Sequence, residues 1–170
     1  MIRILAIGLF FVVARVAQAQ EEARVSANGS LITIVARNVK HQIVLPPKIR
    51  VDMDTAEVLD SEDVGDVRYL LLTVNGPSKR KGFGMGQCGA GFETAIVWLQ
   101  LRAWRIVSSQ FKRVESCWDN AMITDTVTWD GSVMQLGFLD IAAGSKPFVL
   151  RYDRNYAERG FVIAPGVSPR

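Results

Sequence analysis

The segment KGFGMGQCGAGFE, residues 81–93, places five glycines around Cys88. The thiol of this cysteine is a candidate nucleophile. A catalytic cysteine must be a thiolate, and a neighbouring base usually holds it in that form. The sequence contains a single histidine, His41, which precedes Cys88 by many residues. Lys81 and Glu93 are the bases nearest to Cys88 in the sequence. The sequence therefore offers one candidate nucleophile, Cys88, and three candidate bases for it, His41, Lys81 and Glu93.

The same glycines match the spacing of a dinucleotide-binding fingerprint, because Gly84, Gly86 and Gly89 follow the pattern G-x-G-x-x-G. That fingerprint works only in a turn between a strand and a helix, where the pyrophosphate reaches the helix N-terminus. Here Val74, the last apolar residue of the preceding predicted strand, lies eight residues before Gly82, and the segment that follows the glycines fits a strand as well as a helix. We therefore predict no nucleotide and no other cofactor.

The N-terminus indicates export from the cytoplasm. Arg3 precedes an apolar run, residues 4–13, and Ala17-Gln18-Ala19 forms a small-x-small cleavage site, as in a secretory signal peptide. The run is too short to cross about 30 Å of hydrocarbon as a helix. We predict a signal peptide over residues 1–19, a single exported domain over residues 20–170 without a transmembrane anchor, and a periplasmic or secreted location.

An exported chain with two cysteines has one possible intramolecular disulfide. We therefore predict a bridge between Cys88 and Cys117, with the glycines allowing the backbone to turn tightly beside it. In the alternative interpretation, Phe83 and Met85 form an exposed recognition tip next to the basic residues Lys79, Arg80 and Lys81.

The net charge of the mature chain argues against nucleic acid as a partner, and one acidic segment has two possible interpretations. Without Arg3 and Arg15 the mature chain has 18 basic and 17 acidic residues, which is far from the cationic surface that nucleic acid requires. Residues 52–66 contain seven acids and no base. This composition is typical of a solvated loop, and the alternatives are a cation site or a charged docking surface. The acids do not match the pattern of a calcium-binding loop, and the two cysteines and one histidine do not supply the four ligands of a zinc site.

Short runs of β-branched and aromatic residues separated by turn residues indicate an all-β fold, a single β-sandwich or open barrel of about 8–10 short strands with at most one short helix. The predicted strands are residues 31–37, 42–45, 48–52, 67–74, 122–129, 132–138, 148–152 and 161–164. Asp54 is expected to cap a short helical turn that ends before Gly65.

Two segments allow a finer prediction. Residues 94–109 fit a helix or a strand, and we favour a strand because its apolar face is cleaner. Asp130-Gly131 predicts a two-residue hairpin turn. That register places Trp129 opposite Ser132 and, further from the turn, the following pairs opposite each other: Val127 and Met134, Asp125 and Leu136, Ile123 and Phe138.

These observations favour a non-enzymatic binding or interaction module, stapled by a disulfide, whose partner is a protein or other macromolecule outside the cytoplasm. The contact residues predicted for that partner are Lys79, Arg80, Lys81, Phe83 and Met85. Two alternatives stay open: a hydrolase that uses Cys88 or the acidic segment 52–66, and a structural component of the envelope.

Overall fold

The computed structural model describes residues 22–25, 30–36, 38–49, 53–78 and 91–166. They form an all-β fold with two short 3-10 helices, Pro47–Ile49 and Arg154–Arg159. The twelve strands are β1 (Glu22–Val25), β2 (Leu31–Ala36), β3 (Val39–Val44), β4 (Thr55–Val64), β5 (Val67–Pro77), β6 (Phe92–Arg102), β7 (Arg105–Glu115), β8 (Ala121–Ile123), β9 (Thr128–Asp130), β10 (Val133–Asp140), β11 (Lys146–Asp153) and β12 (Phe161–Pro165). The prediction of an all-β fold is confirmed, and the arrangement is consistent with a sandwich. The described residues form more strands than the 8–10 predicted, and two short helices where at most one was expected.

The strands build three antiparallel sheets. Sheet A has the order β1-β2-β3, sheet B the order β4-β5-β6-β7, and sheet C the order β12-β11-β10-β8 with β9 also paired to β10. Most neighbouring strands follow each other in the sequence, and the pairs β2–β3, β4–β5 and β6–β7 are joined by connections of only two residues.

Sheet B lies between the other two sheets and buries both of its faces. Leu70 and Leu72 pack with Ile32 and other residues of sheet A, whereas Leu71, the residue between them, packs in a second core with Leu136 and other residues of sheet C. Successive side chains of a strand point to opposite faces, so a strand covered on both sides needs an unbroken apolar run. The sequence Leu70-Leu71-Leu72 supplies it, and the sandwich therefore has three layers.

The ambiguous segment 94–109 is a strand, as predicted, but a turn divides it between β6 and β7. The turn residues Ala103 and Trp104 have φ values of 48° and 61°, a left-handed conformation that usually marks glycine or asparagine. Neither turn residue is a glycine or an asparagine, so the sequence contains no local signal for this turn. The turn also brings Trp104 against the core shared by sheets A and B.

The predicted hairpin around Gly131 forms, but its register changes along its length. Far from the turn, Ile123 pairs with Phe138 as predicted. Near the turn, Trp129 pairs with Met134 and not with Ser132, so this part of the prediction is wrong. The shift of two residues moves the partner of Trp129 from Ser132 to Met134, which lies on the same face of β10, because the side-chain period of a strand is two.

Two local predictions fail in the first half of the chain. Residues 54–57, expected as a helical turn, enter β4, and Gly65 with a φ of 64° belongs to the β4–β5 hairpin turn. The strand expected over residues 48–52 begins in the 3-10 helix Pro47–Ile49, and residues 50–52 lie outside the described residues. In both places tertiary pairing and proline geometry override weak local patterns.

Candidate functional site

The two described residues on either side of the glycine-rich segment are hydrogen-bonded to each other. The Ser78 backbone N–H donates a hydrogen bond of 2.9 Å to the carbonyl of Gly91, directly after β5 and before β6. Residues 79–90 lie outside the described residues. The predicted contact residues Lys79, Arg80, Lys81, Phe83 and Met85, and also Cys88, therefore lie in the connection between β5 and β6, of which only the two ends are described. We call Ser78 and Gly91, together with the residues that contact them, the loop base.

Cys117 lies at the loop base. A Cβ placed on Gly91 would be 3.6 Å from the Cβ of Cys117, an ordinary van der Waals distance, so the two residues are packed neighbours. Cys88 precedes Gly91 by three residues, a span of about 10 Å at most, so the chain can bring it within the Cα separation of about 4.4–6.8 Å that a disulfide needs. No cysteine in the described part of the chain is a free thiol. Because Cys88 lies outside that part, the bridge between Cys88 and Cys117 stays a prediction.

His41 lies at the opposite end of sheet B from the loop base. Its ring stacks on Trp104, with ring centroids 3.7 Å apart and planes within 7°. Trp104 follows the far end of β6, an 11-residue strand that is about 33 Å long. His41 is consequently far out of hydrogen-bonding reach of a cysteine next to Gly91, and it does not supply the base that a thiol hydrolase would need.

Glu93, the second candidate base, is buried at the loop base and already has partners. Its side chain is only 4% exposed. Its Oε1 accepts a hydrogen bond of 2.8 Å from the Ser78 hydroxyl, and its Oε2 lies 3.8 Å from Nε of Arg113. The Trp118 indole N–H also donates to the Ser78 carbonyl at 3.2 Å. These bonds hold the two ends of the loop in place and neutralise Glu93, so a structural role accounts for this carboxylate.

A cleft of about 430 Å³ opens between sheets B and C next to the loop base. Its exposed lining surface is mostly apolar, and its polar lining residues are four threonines and Asp125. The lining residues are Thr73, Thr94 and Ile96 from sheet B, and Ile123, Thr124, Asp125, Thr126, Val127 and Leu136 from sheet C. Thr94 is two residues from Phe92, where β6 begins at the loop base, so the cleft and the glycine-rich loop share one end of the molecule.

The register shift in the hairpin creates this cleft. The Thr124 N–H bonds to the Gly137 carbonyl at 3.1 Å, and Thr128 pairs with Gln135. Three residues on one strand, 125–127, therefore face only Leu136 on the other. The two extra residues bulge away from the ladder and leave space above sheet B. The sequence contained one indication of this irregularity. Asp125 is a charged residue that the predicted register places opposite Leu136, between two pairs of apolar residues, and this pattern did not by itself predict a cleft.

In the acidic segment, residues 55–64 form β4, and the acids differ in their surroundings: Asp54, Glu57, Asp63 and Asp66 are exposed, as a solvated segment would be, whereas Asp60 is buried and has partners. Asp60 is only 6% exposed. It accepts hydrogen bonds from the Tyr152 hydroxyl at 2.8 Å and from Arg154 at 2.7 Å, and Asp63 pairs with Arg68 at 2.6 Å. Within the described residues, no group of three or more histidines, cysteines or acids is arranged to hold a metal ion.

A β-bulge in β4 directs Asp60 toward sheet C. The register of β4 against β5 shifts between Val58 and Asp60, so that Val58 faces sheet A while Asp60 pairs with Leu71, which faces sheet C. A bulge changes the face to which the following side chains point. The bulge therefore places the carboxylate against Tyr152 of β11 and joins the two sheets by a buried polar contact. Burial and the Asp60 carboxylate raise the pKa of Tyr152 well above its ordinary range, which keeps the hydroxyl protonated as the donor.

The same cluster predicts an unusual pH dependence at Glu62. Burial, followed by repulsion from Asp60, raises the pKa of Glu62 from 4.5, although Arg154 partly opposes this. An acid whose pKa is higher in the folded than in the unfolded state stabilises the fold below the unfolded pKa, and this stabilisation is lost as the pH rises through the folded pKa. We expect Glu62→Gln to raise the denaturation midpoint at pH 7 and to have less effect at pH 4, measured by urea unfolding at both values. Equal effects at the two pH values would contradict the assignment.

Comparison of the chain with protein-family models, with curated proteins and with solved structures finds no significant match. Among the described residues, none belongs to a helix with the length and apolar character needed to cross a bilayer. The site geometry is thus the basis for a functional proposal.

Proposed function

We propose that the protein is a non-enzymatic binding module, exported to the periplasm or secreted, that binds a macromolecular partner at the end formed by the glycine-rich loop and the adjoining cleft. The observation that carries this proposal is the cleft between sheets B and C. It has a volume of about 430 Å³ and lies beside the loop base. Binding sites are commonly concave and largely apolar, with a few polar groups that set orientation.

The chemistry of the cleft suggests what it receives. Ile96, Ile123 and Leu136 offer apolar surface, and Thr73 and Thr94 offer hydroxyls on the sheet B wall. An apolar or aromatic side chain of a partner fits this combination, since interface hot spots are typically such anchors in pockets. Lys79, Arg80, Lys81, Phe83 and Met85, in the adjoining loop, remain the proposed second part of the contact.

The geometry of the described candidate bases supports binding over catalysis. His41 is at the other end of sheet B, Glu93 contacts Arg113 and Ser78, and Asp60 contacts Arg154 and Tyr152. A hydrolase needs a base that is free to take a proton at the reacting group. The two carboxylates instead serve as contacts that join structural elements.

The test is affinity capture from envelope extract and culture medium with three variants. Thr126→Trp places a large side chain at the mouth of the cleft, and Thr128→Trp is the matched control, an exposed threonine two residues away that does not line the cleft. In the third variant Lys79, Arg80, Lys81, Phe83 and Met85 are all replaced by serine. We expect Thr126→Trp and the serine variant to lose the captured partner by at least about 10-fold, or about 1.4 kcal/mol, while Thr128→Trp keeps it.

Thermal unfolding of each variant shows whether it is folded before capture is compared. Retention of the same partner by folded Thr126→Trp and by the folded serine variant would make the proposed contact wrong. If wild-type protein captures no partner at all, the structural role in the envelope becomes the better interpretation.

A further inference from the structure

Two glutamates flank the cleft on its sheet B wall. Glu57 of β4 pairs with Thr73 of β5, and Glu115 of β7 pairs with Thr94 of β6. Residues paired across neighbouring strands point to the same face of a sheet, and both threonines line the cleft. The Thr94 hydroxyl also donates a hydrogen bond of 3.1 Å to Oε2 of Glu115. The sheet B wall therefore has a glutamate beside it on each side.

These two carboxylates are exposed, and no cation in the described part of the chain neutralises them. No ion pair there includes Glu57 or Glu115. One cation lies on the same face, because Lys112 of β7 pairs with Ile96 of β6. Its Nζ lies 5.2 Å from the ring centroid of Phe138. Together the two glutamates and this lysine give the edge of the cleft one net negative charge.

Phe92 extends the cleft-facing row of β6 toward the loop base. Phe92, Thr94 and Ile96 alternate along the strand, so their side chains point to the same face. Thr94 and Ile96 line the cleft, whereas Phe92 lies outside it and is 61% exposed. The Phe92 ring and the Glu115 carboxylate are thus both neighbours of Thr94 on one face. A lysine or arginine of a partner can contact both groups, since a cation pairs with a carboxylate and is attracted to an aromatic ring.

We propose that a partner protein binds the cleft through an extended segment with an apolar side chain against Ile96 and a lysine or arginine, two positions away, between Phe92 and Glu115. This inference rests on the proposed function, because it concerns the same cleft. Alternate side chains of an extended chain are about 6.6–6.8 Å apart, and Thr94, beside Glu115, is separated from Ile96 by the same strand spacing. Charge complementarity favours a basic segment, because an acidic one would face the carboxylates of Glu57 and Glu115.

Selection from a phage-displayed library of short random peptides tests this inference. The wild-type protein is expected to enrich peptides that carry a lysine or arginine two positions from a large apolar residue. An enriched peptide is then synthesised and compared, by fluorescence anisotropy, with an analogue in which glutamine replaces the basic residue. We expect the basic peptide to bind about 3–10-fold more tightly, from one exposed ion pair and one cation–π contact. This difference should shrink at high salt, which screens exposed charges.

Variants of the protein assign the contact to particular residues, after thermal unfolding has shown that each is folded. Glu115→Gln should abolish the preference for the basic peptide and leave binding of the glutamine analogue unchanged, and Phe92→Ala should reduce the preference. Asp66→Asn is the matched control, because it removes one carboxylate from the β4–β5 turn, where Asp66 pairs with Arg102 at 3.1 Å. Arg102 ends β6 about 26 Å from Thr94, so this variant should keep the preference.

Several results would overturn the inference without contradicting the proposed function. These are selection of acidic peptides, selection of apolar peptides without a nearby basic residue, and a basic preference that survives in Glu115→Gln. Unchanged binding of the selected peptides to Thr126→Trp would also overturn it, because they would then bind outside the cleft. If the wild-type protein enriches no peptide sequence, this inference is wrong, and partner capture by the wild type and by Thr126→Trp decides the proposed function separately.

Discussion

Replacement of either Leu71 or Leu72 by alanine is expected to lower the free energy of unfolding by about 2–5 kcal/mol. The two leucines are neighbours in β5, and both are fully buried. Leu71 packs in the core between sheets B and C, and Leu72 packs in the core between sheets A and B. In a sheet with one solvated face, one of two adjacent residues faces water, and its truncation has little effect. Two large and similar losses are therefore a signature of the three-layer arrangement.

Urea unfolding of the two variants measures these losses. Val107→Ala is the control on sheet B itself, because Val107 is exposed on β7 and should change the free energy of unfolding by no more than about 0.5 kcal/mol. A small effect at only one of the two leucines would show that the corresponding face of sheet B is open to water.

Cys117→Ser is expected to destabilise the mature protein by about 3–4 kcal/mol in the chain-entropy description of a loop of about 30 residues. This expectation rests on the proposed bridge to Cys88. Without that bridge, the described contacts that hold the two ends of the segment are the non-covalent ones among Ser78, Gly91, Glu93, Arg113 and Trp118. A domain whose net stability is about 5–15 kcal/mol would lose a large share of it.

Three measurements on protein exported from cells check this prediction. Intact mass should show a chain beginning at Gln20, two hydrogens lighter than the reduced form, and a thiol assay under denaturing conditions should find no free thiol. Reductant should lower the urea midpoint of the wild type but not of Cys117→Ser. Two free thiols and no effect of reductant would show that Cys88 and Cys117 are not bridged. Cys88 would then again be a candidate nucleophile.

The fold class and several strands were predictable from local patterns because alternation and turn residues act over a few positions. Leu31–Ala36 and the pairing of Ile123 with Phe138 are examples that the structure confirms. The β6–β7 turn was not predictable, since Ala103 and Trp104 are unusual residues for its left-handed backbone. The cleft was not predictable either, because its formation depends on where residues 125–127 leave the ladder.

The sequence by itself determined an all-β chain, the unbroken apolar run of β5 and the position of the glycine-rich segment, because composition and periodicity are properties of short stretches. Only the tertiary structure decided that sheet B is covered on both faces, that a bulge directs Asp60 toward Tyr152, and that His41 lies far from the loop base. Each of these depends on contacts between residues distant in the chain. Pairing register and layer order are set by the summed packing of such contacts, which no short stretch of sequence contains.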